Sequence, residues 1–270
     1  MSQSTVAVLG GIAGLTIFLG LPVARVRGLS LPVQGFLNAV ATGVLIFLLV
    51  DILGKANQPV EEALAGLHKG EWTRFAAIGA LYAVGMVGGL LGLTLFNRQF
   101  GRRLREGSAA AAVRAPAVPS ARGLAMMIAT GLGLHNFSEG LAIGQSAAAG
   151  ALAFTGVLVI GFGLHNVTEG FGIAAPLASD QQRPSWGFLG MAGLVGGGPT
   201  FAGTVLGSNL VSAYAFVLFL TLAAGALIYV INEMFSVCRR LSTPPVMAAG
   251  VLTGFLAGFG TDLVLTFFGG

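Results

Sequence analysis

Charge is what this chain lacks. Of its 270 residues, 14 are Lys or Arg and 10 are Asp or Glu, 9% in all, against roughly 25% in an ordinary soluble domain. So few charges cannot clothe a soluble surface of this size, and a 55% hydrophobic content excludes disorder. The excess of four positive charges is spread over connecting segments and excludes a nucleic-acid partner, even with a pI of about 9.8. Cysteine is almost absent: Cys238 stands alone, which excludes a disulfide framework and any Cys-cluster metal site. Met1 to Val23 lacks a basic leader and a small-residue cleavage pattern, so this first apolar stretch is expected to stay in place.

What is there in quantity is apolar sequence, with a mean hydropathy of +0.86. A helix crossing roughly 30 Å of hydrocarbon needs about 20 mostly apolar residues. Eight stretches qualify: Val6–Val23, Leu31–Leu53, Phe75–Phe96, Gly123–Ala147, Ala151–Ala175, Trp186–Leu206, Ser212–Phe235 and Pro245–Phe268. The pattern predicts an all-α membrane protein, eight transmembrane helices in one bundle, forming a single transmembrane domain over 1–270. The sixth stretch holds Gly196, Gly197, Gly198 and Pro199 at its middle, so an interrupted helix inside the bundle is expected there.

The connecting segments set the orientation. Arg25 and Arg27 follow the first span; Arg98, Arg102, Arg103, Arg105, Arg114 and Arg122 the third; Arg183 the fifth; Arg239 and Arg240 the seventh. Only Lys55, Lys69 and Arg74 fall on the other side. The positive-inside rule makes the arginine-rich side cytoplasmic, with both termini outside. A linker of small residues and proline, about 98–122, is then cytoplasmic. The outer segment 57–73, with Glu61, Glu62, His68 and Glu71, reads as an amphipathic or irregular surface stretch or as a weak outer metal-gathering site. Glycine is abundant, 43 residues. Gly85, Gly88, Gly89 and Gly92 form two G-x-x-x-G pairs and Gly140 with Gly144 a third, small faces that let helices pack closely in lipid.

The informative feature is a near-duplicate. Leu134-His135-Asn136-Phe137-Ser138-Glu139-Gly140 in the fourth span returns as Leu164-His165-Asn166-Val167-Thr168-Glu169-Gly170 in the fifth. Ionisable residues at mid-membrane are costly without partners and mark functional sites. The alternative is a buried His–Glu pair that only locks two helices together. In each copy His and Glu stand at i and i+4, on one helix face, and a very short turn makes the two helices antiparallel neighbours. Facing each other they would supply a tetrahedral His₂Glu₂ set, suited to Zn²⁺ and also to Fe²⁺, Mn²⁺ or Cd²⁺. Asn136 and Asn166 stand beside the histidines, where each glutamate could share a second cation with its asparagine. The absence of thiolates argues for metal that is released again.

HNFSEG and HNVTEG in consecutive spans, after a long cytoplasmic linker, resemble the ZIP (ZRT/IRT-like) metal transporters. Together with Gly170–Leu177 they look most like the bacterial GufA-type branch. The resemblance implies import of a divalent metal, chiefly zinc, across a bacterial inner membrane toward the cytoplasm. It implies a first site of His135, Glu139, His165 and Glu169 and an adjoining second site using Asn136 and Asn166. Relatives often carry Glu-Pro in span 6 where this chain has Gly198-Pro199, so the second site is expected to be weak or absent, with one tightly held ion. Leu45 stands where relatives often have a metal-facing Met. Asn232-Glu233 occupies the place of a cytoplasmic-end pair, which makes Glu233 a candidate exit ligand. Asp51 and Asp262, near the outer ends of spans 2 and 8, resemble acidic entrance residues, or are simply solvated.

The metal is cargo in this reading, and no cofactor is expected; lipid is the surrounding partner and homodimerisation is left open. The alternative is a membrane-embedded metalloenzyme with a His/Glu metal centre. An H-E-x-x-H protease would need a general-base Glu beside the first His, where Asn136 and Asn166 stand instead. A di-iron oxidase would need further carboxylates.

Overall fold

The computed structural model describes residues 2–26, 28–106, 120–179, 182–209 and 212–269, and within them every regular element is helical. The helices are α1 (Gln3–Leu15), α2 (Ile17–Gly20), α3 (Leu31–Ala65), α4 (Trp72–Glu106), α5 (Ala121–Ala148), α6 (Leu152–Ala174), α7 (Trp186–Gly207), α8 (Ala213–Leu241) and α9 (Pro244–Gly269). Among the described residues, seven helical runs are long and apolar enough to cross a membrane, the make-up of a multi-pass membrane protein. Their outward faces fit that setting. Exposed apolar side chains recur at helical spacing as Val8, Ile12, Leu15 and Leu19, as Val84, Val87, Leu91 and Leu95, and as Leu252, Leu256, Phe259 and Leu263, one stripe per helix.

The predicted fourth span is α5, and it is not among the seven. Its 28 residues reach about 42 Å at 1.5 Å each, so length is not the reason. It carries the first motif copy, and His135, Asn136, Ser138 and Glu139 lower its apolarity. It is also the most enclosed helix: only Thr130 and Ala148 along it are exposed, with α7, α8 and α6 around it. A helix walled by protein needs no lipid-compatible face.

Three expected boundaries change. The first span lengthens: it runs Gln3–Arg25 as α1, α2 and a closing 3₁₀ turn, with Thr16 between α1 and α2 in helical conformation. Span 2 does not stop at Leu53; α3 runs on to Ala65 with Pro59 inside it, so Asp51 and Lys55 lie within a helix rather than at its end. Span 6 is not interrupted: α7 is continuous through Gly196–Pro199. Pro199 cannot donate to the Val195 carbonyl. A neighbour covers the defect, because Gly133 of α5 crosses so close to that oxygen that a Cβ there would collide with it. The linker narrows as well. Helix α4 extends to Glu106 and α5 begins at Ala121, and residues 107–119 lie outside the described residues.

Glycine sets how closely the helices bearing the motif approach their neighbours. Gly140 and Gly144 of α5 lie against the Thr200 and Thr204 carbonyls of α7, and Gly203 of α7 lies against the Phe137 carbonyl of α5. In the second copy, Gly170 of α6 meets the Ile17 carbonyl, while Gly20 meets the Val167 carbonyl. The last residue of each motif copy is therefore a packing residue.

Candidate metal centre

Helices α5 and α6 present His135, Glu139, His165 and Glu169 to one another in the bundle interior, where each is between 0% and 6% exposed. The i, i+4 spacing does what helix geometry requires: His135 Nε2 lies 3.2 Å from Glu139 Oε1, and His165 Nε2 lies 3.9 Å from Glu169 Oε1. The copies also meet across the interface, with His135 Nε2 4.0 Å from Glu169 Oε1 and the two imidazole centroids 6.1 Å apart. Ligand atoms from His135, His165 and Glu169 all lie within 4.8 Å of one another. Around a tetrahedral zinc such atoms stand about 3.3 Å apart, so a contraction of under roughly 1.5 Å would close the set. Glu139 adjoins the triad through His135.

The hydrogen-bonding ledger is open at these atoms. His135 Nε2, His165 Nε2, Glu169 Oε1 and Glu139 Oε2 are buried and without a hydrogen-bond partner. Such atoms are normally satisfied, and leaving one bare is costly. Four unsatisfied nitrogen and carboxylate positions in one place fit a cation. The charge agrees, since two carboxylates neutralise one divalent ion and would leave a second uncompensated.

The asparagines, expected beside the metal, are tied to the flanking helices. Asn136 Nδ2 donates to Glu169 Oε2 at 2.7 Å and to the Gly196 carbonyl of α7 at 3.0 Å. Asn166 Nδ2 donates to the Ala13 carbonyl of α1 at 2.8 Å. Each copy thus uses one amide to clasp the helix that its glycine lets in. Both Oδ1 atoms stay buried and unpartnered. The first span and α7 play matching parts around the two copies.

Two contacts to His165 come from distant parts of the sequence. Thr261 Oγ1 of α9 stands 3.5 Å from His165 Nδ1 and donates its own hydrogen to the Gly258 carbonyl at 2.6 Å. A hydroxyl has one hydrogen, so toward His165 it accepts. A proton on Nδ1 would complete this contact and would leave Nε2 bare toward the cluster, where a metal could take it. Phe47 of α3 packs edge-on against the same imidazole, with centroids 6.4 Å apart. Leu45, expected near the metal, is fully buried in the main apolar core.

Other expected site residues are placed elsewhere. Asn232 is exposed and Glu233 half-buried on α8, and neither joins the His/Glu cluster. His68 is exposed, while Glu62 and Glu71 pair with Arg74 at 3.8 and 3.4 Å; no metal-binding group forms there among the described residues. Gly198 lines an apolar groove of about 530 Å³ against Val8, Leu15 and Phe18, so a carboxylate at that position would enter the groove.

Asp51 and Asp262, in contrast, gather on the α3–α9 side of the cluster with Lys55, whose ammonium is 2.6 Å from Asp51 Oδ2 and in electrostatic range of Asp262, Glu139 and His165. Sequence reasoning counted Lys55 as a loop charge and did not single out Thr261. The i, i+4 spacing of Asp51 and Lys55 was the signal for the first; the second had none. No known family's sequence profile matches the chain, and no curated protein is a significant match. The reading of the site rests on its geometry.

Proposed function

We propose that this chain carries a divalent metal ion, with zinc the best fit, across a bacterial inner membrane toward the cytoplasm, and that His135, Glu139, His165 and Glu169 form the mid-membrane station it passes. The observation that carries this is the convergence of buried ligand atoms from His135, His165 and Glu169, with Glu139 beside His135, inside a bundle of membrane-length helices. In this reading α5 is an eighth span and both termini face outward, as the arginine distribution favours. The resemblance of the two motif copies to ZIP transporters supports it.

Each residue has a distinct task. The imidazole Nε2 atoms select borderline metals over Ca²⁺ and Mg²⁺, which prefer oxygen. The carboxylates neutralise one ion, and without thiolates the ion can leave again. Asn136 holds Glu169 and Thr261 holds His165 in place. The test is zinc uptake into proteoliposomes with an internal fluorescent indicator. Uptake that is abolished by Glu169→Ala at equal reconstitution supports the reading. Zinc that binds but never crosses would overturn transport and leave a resident metal site.

A further inference from the structure

The metal-transport reading uses the His/Glu cluster but leaves a charged group just beyond it without a role. Lys55 stands on α3 where its apolar run gives way to Asn57 and Gln58, and its surroundings come from three helices. Asp51, one turn earlier on α3, holds the ammonium at 2.6 Å. The ring of Phe162 on α6 lies 5.7 Å from Nζ. Asp262 on α9 is in electrostatic range.

The register places this group relative to the cluster. Phe47 of α3 is level with His165 of α6, and Lys55 is level with Phe162, so the two helices run antiparallel. Eight residues along α3, about 12 Å at 1.5 Å per residue, separate the two levels, and the long lysine side chain spans part of that gap. Thr261 of α9 also touches His165, and Asp262 follows it. The ammonium therefore sits one to two turns beyond His165 toward the α6 N-terminus, beside Asp51 and in electrostatic range of Asp262. The Lys55 side chain is 35% exposed. It also acts electrostatically on Glu139, Glu169 and His165.

We propose that Lys55 is a tethered competitor cation: its ammonium occupies the Asp51/Asp262 side of the cluster, an incoming divalent ion must displace it, and its charge lowers the affinity of the His/Glu cluster so that bound metal can be released. This rests on the metal-site reading above. A fixed ammonium on the same chain has a high effective concentration, so a monovalent ion gains little by exchanging with it. A divalent ion brings twice the charge to the same two carboxylates and can win the exchange.

The test is equilibrium Co²⁺ binding to the purified full chain in detergent, read both by titration and by the visible ligand-field spectrum. Lys55→Met removes the charge and keeps the length. It should tighten Co²⁺ binding by roughly tenfold, the scale of one unit charge acting across partly wet protein, without changing the spectrum, and should slow release to a chelator. Lys55→Arg keeps the charge and should bind like the unmutated chain. Should Lys55→Met fail to fold, Lys55→Gln against Lys55→Arg makes the same comparison. Unchanged or weaker binding in the uncharged variant, with the unmutated chain binding Co²⁺ normally, overturns the role of Lys55 and leaves the metal site standing. An unmutated chain that binds no Co²⁺ through His135 and Glu169 overturns both.

Discussion

Asn136 and Glu169 lie on different helices, 33 residues apart, and the amide nitrogen of the first is 2.7 Å from the second's Oε2. That bond leaves Oε1 as the free oxygen, and Oε1 is the atom that faces both imidazoles. One amide on α5 thereby aims a carboxylate on α6, and the same amide fixes α7 through Gly196. The two motif copies are joined by this cross-link as much as by any metal they hold.

Asn136→Ala should therefore weaken metal binding by about 10- to 100-fold, the usual cost of losing a residue that orients a ligand, while leaving the number of bound ions at one. Asn166→Ala should loosen α1, because its amide clasps Ala13, and should lower the melting temperature with a smaller effect on affinity. Isothermal titration and thermal melting in detergent separate the two. Equal affinity losses in both variants would identify the asparagines as paired ligands.

Replacing the ligands themselves should follow their connectivity. Glu169 Oε1 faces both histidines, whereas Glu139 reaches only His135 within 4 Å. Glu169→Gln is expected to abolish detectable zinc binding, and Glu139→Gln to weaken it without removing it. The measurement is bound zinc per chain after desalting. Retention by Glu169→Gln at the unmutated level would sink the proposed centre.

Thr261→Val keeps the shape of the side chain and removes the acceptor for His165 Nδ1–H. The second tautomer, with its proton on Nε2, then competes, and metal affinity should drop by about tenfold. The nitrogen-15 chemical shifts of His165, which report the tautomer directly, should move in the same variant. Unchanged shifts would mean that the 3.5 Å contact does not orient the ring.

Acid should release the metal. Imidazole and carboxylate bind metal only when deprotonated, so protons compete for the same lone pairs. Apparent zinc affinity is expected to fall as pH is lowered from about 8 to about 4, as protons displace the ion from its ligands. Affinity that stays flat over that interval would contradict His135 and His165 as ligands.

Two glycines on facing helices should respond in opposite ways. A methyl at Gly140 would collide with the Thr200 backbone, which cannot rotate aside, so Gly140→Ala should cost about 1–3 kcal/mol or more. Gly198→Ala on the facing helix meets nothing within 4 Å and should be neutral or stabilise by up to about 1 kcal/mol, since alanine suits a helix better than glycine. Melting temperatures of the two variants check the pair.

The amino-acid sequence determined by itself whatever depends on periodicity and composition. Low charge and long apolar runs set the membrane class. The i, i+4 spacing put His and Glu of each copy on one face, and the duplication, joined by a short turn, brought the two faces together. Where these local rules were followed alone, they misjudged elements whose neighbours decide. Pro199 reads as a break, yet α7 continues because helices packed around it tolerate one missing hydrogen bond. Lys55 reads as a loop charge, yet α3 continues past it because Asp51 and Asp262 compensate an ammonium in the bundle. Tertiary structure alone decided that Asn166 clasps Ala13 from 153 residues away and that Thr261 reaches His165 across 96. The reason is physical: hydropathy and helical spacing are properties of a segment, whereas the partner of a buried amide or imidazole is set by which helix lies beside it, and no local pattern carries that information.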